Sequence, residues 1–259
     1  MEDKKHRKRS EKMLSGLLFV FGVCIGSFIN VVIYRLPLKK SFVFDRSYCE
    51  YCGQKLYWYD LIPIFSYFNL KGKCRFCHHQ IRKMHPIVEF GSGILLVICF
   101  RLMGFSTMMI ISYLIIEVLL IIGIIDYQTM RIYESVLLVL LLLVVVYRFF
   151  NRAAFNDMIL GAIMISSLMI GVNFLVNDAF GFGDIELVVI SGILLGWQLN
   201  LISFSLSVIL ASIYSLRLLL QGKCHLKSLI PFGPFLTLSM ALVFLFGQDF
   251  LTIYLMVFS

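Results

Sequence analysis

Asp126, in Ile124-Ile125-Asp126-Tyr127, and Asp184, in Gly181-Phe182-Gly183-Asp184, stand at the mouths of two separate apolar segments. An ionised carboxylate is costly beside hydrocarbon, so a carboxylate at a membrane boundary is a functional hypothesis by default. Two of them suggest one shared acid/base site. If they meet, mutual repulsion leaves one proton between them: one carboxylate activates a water and the other protonates a scissile carbonyl. For Asp126 alone, a solvated loop residue or a helix cap is an equally good account. Asp184 is harder to explain in that way. It opens a helix, where the dipole favours its charge, but a cap alone does not need Gly-Phe-Gly before it. Gly181 and Gly183 allow unusual torsions and close approach of another chain segment.

A second constellation is Cys49-Glu50-Tyr51-Cys52 with Cys74-Arg75-Phe76-Cys77. Each Cys-x-x-Cys turn offers two corners of a tetrahedron, and two such turns close a structural Zn²⁺ site. Gly53 and Gly72 suit the tight reversals. Paired disulfides are the alternative, disfavoured in a reducing cytoplasmic loop. His78 and His79 are competing ligands by proximity. Cys24, Cys99 and Cys224 read as small hydrophobes.

The elements that must position these groups are membrane helices. The 259 residues are 60% hydrophobic and only 15% charged, against about 25% charged in a typical soluble domain. The sequence therefore predicts an all-α polytopic membrane protein. Apolar runs long enough to span fall near 14–34, 87–104, 107–125, 134–150, 158–176, 185–197, 199–220 and 234–257, about eight helices. Residues 1–13 form a basic tail, 35–86 a polar insertion carrying the four cysteines, and 87–259 the core with both aspartates. The basic start runs into the first span without a small-residue cleavage pattern, so no signal peptide is expected. The net charge of +8 reads as basic loops facing anionic lipid, not as nucleic-acid binding.

Lys and Arg counting gives the orientation. With the insertion cytoplasmic, fourteen lie inside, including Arg131, Arg217, Lys223 and Lys227, against Arg101, Arg148 and Arg152 outside. The six basic residues of the tail run against this assignment. Both aspartates then face the cytoplasm. Gly26, Ser27 and Asn30 read as a packing seam, Arg35 as a snorkelling anchor and Pro37 as a helix stop. Asn30 is the residue that a seam explains least. Glu89 and Glu117 are open between structural and catalytic roles. Pro231–Leu236 is a rigid loop before the last span. A proton or cation transporter using Asp126, Asp184, Glu89 and Glu117 is the rival class; it leaves the cysteines and the Gly-Phe-Gly-Asp context unused.

Taken in order, the Gly26–Pro37 segment, the cysteine pairs, His85–Glu89, Asp126, Gly181–Asp184 and Pro231–Leu236 resemble the type IV prepilin peptidases, the GxGD membrane aspartyl proteases. The resemblance implies cleavage of the basic leader of type IV prepilins and pseudopilins at the cytoplasmic face of the bacterial inner membrane. It also implies methylation of the new N-terminus from S-adenosylmethionine in many members. By the family pattern Asp126 and Asp184 are the catalytic pair, and Cys49, Cys52, Cys74 and Cys77 match the cytoplasmic cysteine tetrad. Two departures stand out: Tyr133 where the family has proline after Ile132, and Glu186 where it has lysine. No cofactor pocket is assignable from sequence, because no glycine-rich dinucleotide loop is present.

Overall fold

The computed structural model describes residues 2–41, 46–152, 154–176, 179–223 and 229–258, and side chains within 11–247 and at 251–252. Cys224 and Lys227 lie outside the described residues. The described chain is all-α. Nine helices run α1 (Glu2–Arg35), α2 (Phe65–Asn69), α3 (Met84–Met103), α4 (Thr107–Thr129), α5 (Glu134–Phe150), α6 (Phe155–Leu175), α7 (Phe182–Leu195), α8 (Trp197–Leu220) and α9 (Gly233–Phe258), with a 3₁₀ turn at Trp58–Leu61. Each of the eight apolar runs lies on a helix. Among the described residues five, within α1, α3, α4, α6 and α8, are long and apolar enough to cross a membrane. The basic start is helical too, because α1 begins at Glu2.

The chain divides into two compact units, Met1–Met109 and Ile110–Ser259. In the first, α1 packs along α3. The seam is made of small residues, as expected from Gly26 and Ser27: a Cβ on Gly22 would lie 2.9 Å from the Gly93 Cα, and one on Gly26 would lie 2.8 Å from the Glu89 Cα. Ser92 closes it by donating to the Gly22 carbonyl at 2.8 Å. Such close backbone approach is how helices associate where lipid supplies no hydrophobic drive.

In the second unit, α7 contacts α5, α6, α8 and α9. It is apolar on all sides and buries Ile185, Leu187, Val188, Ile190, Leu194 and Leu195, as a helix enclosed by protein must. At 14 residues it is shorter than the helices around it. Helix α4 is also interior: 72% of its most apolar window is buried, against 22% for α6 and 17% for α8. Leu119 of α4, Leu140 of α5, Met169 of α6, Val188 of α7 and Met240 of α9 share one core. The outer faces of α6 and α8 expose Leu160, Ile163, Leu168, Ile209 and Ile213, a surface suited to lipid. The two aspartates thus stand on the two interior helices of this unit.

Candidate active site and metal centre

Asp126 lies in the last turn of α4. A carboxylate there caps nothing in its own helix and faces the negative end of that helix dipole, a placement that costs about 0.3–1 kcal/mol. The solvated-loop alternative therefore fails for this residue, whereas a capping contact is present on another helix, α9, which starts at Gly233. Asp126 is only 6% exposed, and its Oδ2 accepts a hydrogen bond from the backbone N–H of Gly233 at 3.0 Å. A Cβ on Gly233 would come within 2.6 Å of that same oxygen, so only glycine lets the amide reach the carboxylate.

Asp184 lies in the first turn of α7 and takes a backbone hydrogen bond from Gly181; it also stands close enough to Asp126 for the two charges to interact. Local geometry brings the two together. Helix α4 ends at Thr129, and Met130 beyond it adopts left-handed torsions (φ 52°) and donates its N–H to the Asp126 carbonyl at 2.8 Å. The reversed chain then lays Ile132 on Gly183, where a Cβ would be 2.9 Å from the Ile132 Cβ. Of the two roles expected for the Gly-Phe-Gly glycines, close approach is the one observed at Gly183. Unusual torsion is not: Gly181 is ordinary extended backbone (φ −64°, ψ 149°).

A triangle of rings holds the loops carrying these groups. Phe180, directly before Gly181, and Phe232, directly before Gly233, have centroids 5.8 Å apart. Phe204 of α8 meets them at 6.5 and 6.3 Å. Asn173 of α6 fixes Phe180 from behind, donating to its carbonyl at 3.0 Å and accepting from its N–H at 2.8 Å. The sequence reading missed Asn173, Phe180 and Phe204. Only the Pro231–Leu236 run hinted at this wall, through the neighbours of Gly233. Glu117 stays buried within α4.

In the first unit, the four sulfurs of Cys49, Cys52, Cys74 and Cys77 all lie within 4.8 Å of one another. Cys49 and Cys77 are 3.9 Å apart, close to the ~3.8 Å edge that Zn–S bonds of about 2.3 Å give a tetrahedron. The donor set fits a structural zinc ion. The two knuckles are near copies. In one, Cys49 N–H bonds the Gln54 carbonyl and Gly53 N–H the Cys49 carbonyl, both at 2.9 Å; in the other, Cys74 pairs with His79 at 2.9 Å and His78 with Cys74 at 3.0 Å. Gly53 (φ 70°) and His78 (φ 55°) hold the same left-handed position. His78 is thus the counterpart of a turn glycine. His79 stacks on Tyr51 at 4.0 Å, and neither histidine belongs to the sulfur cluster. A backbone hydrogen bond from His79 favours the Cys77 thiolate, but desolvation and crowding by Cys52, Cys74 and Cys49 outweigh it and push the thiol up to about 12. A divalent cation removes that obstacle by neutralising the thiolates.

Three residues flagged in the sequence fasten this module to the α1–α3 pair. Asn30 donates to the His85 carbonyl at 3.0 Å. Glu89 accepts from the Ile64 N–H at 2.7 Å and bonds Ser27. Arg35 does not snorkel outward: it is 3% exposed and donates to the carbonyls of Ser41 and Arg46 at 2.9 and 3.0 Å. Loop carbonyls satisfy its guanidinium in place of water.

Family comparison matches the same two regions. Residues 20–103 match the Bacterial Peptidase A24 N-terminal domain, and residues 113–216 match the Type IV leader peptidase family. A prepilin leader peptidase/N-methyltransferase of Vibrio cholerae is 32% identical over 245 residues, covering 88% of this chain and 95% of that protein. One from Bacillus subtilis is 29% identical over 244 residues, covering 94% and 98%. One from Myxococcus xanthus is 34% identical over 187 residues, covering 70% and 56%. No solved structure matches significantly. On the full-length Vibrio match and the two consecutive domains, the chain belongs to the type IV leader peptidase family.

Proposed function

We propose that this protein is a multi-pass aspartyl endopeptidase of the bacterial inner membrane that cleaves the leader of type IV prepilins and pseudopilins, then methylates the exposed N-terminus. Asp126 and Asp184 are the catalytic pair, within the 87–259 region, acting at the cytoplasmic face. The observation that supports this reading is the proximity of two aspartates 58 positions apart in sequence, close enough for their charges to interact, on two interior helices. A transport path would need carboxylates strung along the spans; here the two converge at helix ends.

Chemistry follows from the pair. One carboxylate must be ionised and the other protonated. The ionised one takes a proton from water as the water oxygen attacks the scissile carbonyl, while the protonated one gives its proton to the carbonyl oxygen. The tetrahedral diol then collapses, the C–N bond breaks, and the leaving amine takes up a proton. The Gly233 N–H fixes one Asp126 oxygen and leaves the other for this exchange. The substrate's apolar stem lies along the lipid-facing helices, with its leader junction at the membrane surface.

Cys49, Cys52, Cys74 and Cys77 hold a structural zinc ion, which folds the insertion by closing its two knuckles. S-adenosylmethionine would supply the methyl group, with the deprotonated new α-amine as acceptor and its surplus proton passing to water. Membrane lipid is the surrounding solvent, and no role for nucleic acid is assigned.

The test is direct. Purified protein is incubated with a leader-bearing prepilin, alongside the variants Asp126→Asn and Asp184→Asn. Cleavage by wild type and its loss in both folded variants is expected; full cleavage by either variant would falsify the pair.

A further inference from the structure

Between Trp58 and Phe68 the first unit carries an exposed apolar surface that neither the sulfur cluster nor the peptidase chemistry uses. The 3₁₀ turn Trp58–Leu61 packs against α2. Together with the link between them they expose Trp58, Leu61, Ile62, Phe65 and Phe68, with Trp58 at 77%. A contiguous apolar patch of this kind marks a contact with lipid or with protein.

The level of the patch identifies its partner. The Ile64 N–H donates to Glu89 Oε2 at 2.7 Å, and the same carboxylate bonds Ser27. Glu89 lies five residues beyond the start of α3 at Met84. Ser27 lies eight residues before the end of α1 at Arg35, about 12 Å along the helix axis. Both helices are long and apolar enough to cross a membrane. The chain therefore does not stay above the spans. At Ile64 it dips beside them, to a level where α1 and α3 expose Phe28, Ile87 and Phe90. A strained turn makes the dip: Ile64 has φ 62° and ψ −53°, and Phe65 donates its N–H to the Pro63 carbonyl, a γ-turn of the rare hand. A β-branched residue takes positive φ only where its surroundings hold it there, and Glu89 holds this one.

Charge points the same way. No Asp or Glu occurs between Asp60 and Glu89, whereas Lys71, Lys73, Arg75, Arg82 and Lys83 do. Lys71 and Lys73 are exposed; Lys71 follows α2 directly, its N–H on the Phe68 carbonyl at 3.0 Å. Exposed Trp and Phe rings beside lysines suit a membrane–water interface with anionic headgroups. A soluble partner would have to reach below the helix ends, where lipid stands. We propose that Trp58–Phe68 is a membrane-surface anchor. Its apolar side chains enter the headgroup region of an anionic bilayer beside α1 and α3, with Lys71 and Lys73 on lipid phosphates, and so fix the height of the cysteine module at the membrane. The proposal does not depend on the peptidase or methyltransferase reading.

Trp58 and Trp197 are the two tryptophans of the chain, so Trp197→Phe leaves Trp58 as a fluorescent reporter. The full-length, zinc-loaded variant is reconstituted into vesicles of phosphatidylcholine and phosphatidylglycerol, with or without bromine near the top of the acyl chains. Interfacial side chains lie roughly 5–10 Å into the headgroup/acyl boundary, so bromolipid is expected to reduce Trp58 emission by about half or more. The emission should also be blue-shifted and poorly quenched by acrylamide. Adding Lys71→Glu and Lys73→Glu is expected to relieve much of the bromolipid quenching. Emission at a water-like wavelength, open to acrylamide and indifferent to bromolipid, overturns the anchor. Protection from both quenchers overturns it as well, because protein then covers the patch. Bromolipid quenching untouched by the two lysine reversals overturns the phosphate contacts. If Trp197→Phe does not fold, the difference in quenching between wild type and Trp58→Phe gives the same reading.

Discussion

The backbone N–H of Gly233 donates to the Asp126 carboxylate at 3.0 Å, joining residues 107 positions apart. The bond aims one oxygen of a buried carboxylate using a backbone donor that cannot titrate. It also makes Gly233 a positioning residue for the site, with a steric requirement as strict as a catalytic side chain's.

Replacing either aspartate by asparagine removes the proton exchange while nearly preserving shape. Cleavage of a prepilin is expected to fall by about 10²–10⁴-fold in each variant, the usual share of a general acid or base. The double variant should be little worse than either single one, because the two groups act as a unit. Initial rates by gel shift of the leader-bearing substrate provide the check.

Activity should depend on pH as a bell. At low pH both carboxyls are protonated and no base remains; at high pH both are ionised and no acid remains. The two limbs belong to the pair, not to one residue. A rate profile in kcat/KM that stays flat across both limbs would rule out the shared-proton scheme.

Gly233→Ala should leave the helices intact while the new Cβ, 2.6 Å from Asp126 Oδ2, pushes the carboxylate aside. A misplacement of about 1 Å can cost ~10²-fold in rate. The expected outcome is a kcat loss of that order with an unchanged KM and circular dichroism. Gly183→Ala should behave alike, since its Cβ meets Ile132.

Asn173→Leu keeps the volume of α6 but strips both hydrogen bonds from the Phe180 backbone. Each group left unpaired costs about 1–3 kcal/mol. A lower unfolding temperature in detergent is expected, together with slower cleavage as the Gly181–Asp184 turn loosens. Asn173→Asp restores the acceptor alone and should recover part of the loss.

Metal analysis should give one zinc per chain, lost in Cys74→Ser or Cys49→Ser. Without it the insertion should become sensitive to protease between Ser47 and Ile81, since its knuckles are closed chiefly by metal. Glu89→Ala should expose the same segment with zinc retained, because it releases the Ile64 anchor and the Ser27 bond but no zinc ligand.

Much of this protein could be read from pattern. All eight apolar runs are helical, because a hydrocarbon solvent forces the backbone to satisfy itself within each segment. The cysteine quartet was legible because ligand type and local spacing define a metal site almost without tertiary help. Gly26 and Ser27 pointed to a close helix seam for the same local reason.

Other roles depended on which side chains meet across the fold. Asn30 read as part of a packing seam, Arg35 as a snorkelling anchor and Glu89 as open between structural and catalytic roles; each fastens the cysteine module through a backbone group, nearby in sequence for Arg35 and distant for Asn30 and Glu89. Asp126 looked like a loop residue but stands inside the last turn of a buried helix. The sequence by itself determined the helices, the sulfur cluster and the two aspartates worth suspecting, since solvent and local spacing dictate those. Only the tertiary structure decided that Asp126 faces Gly233, that Ile132 lies on Gly183 and that three phenylalanines hold the two loops together. Those contacts arise from helices packing across large separations in sequence, and no local pattern encodes which partner a side chain will find.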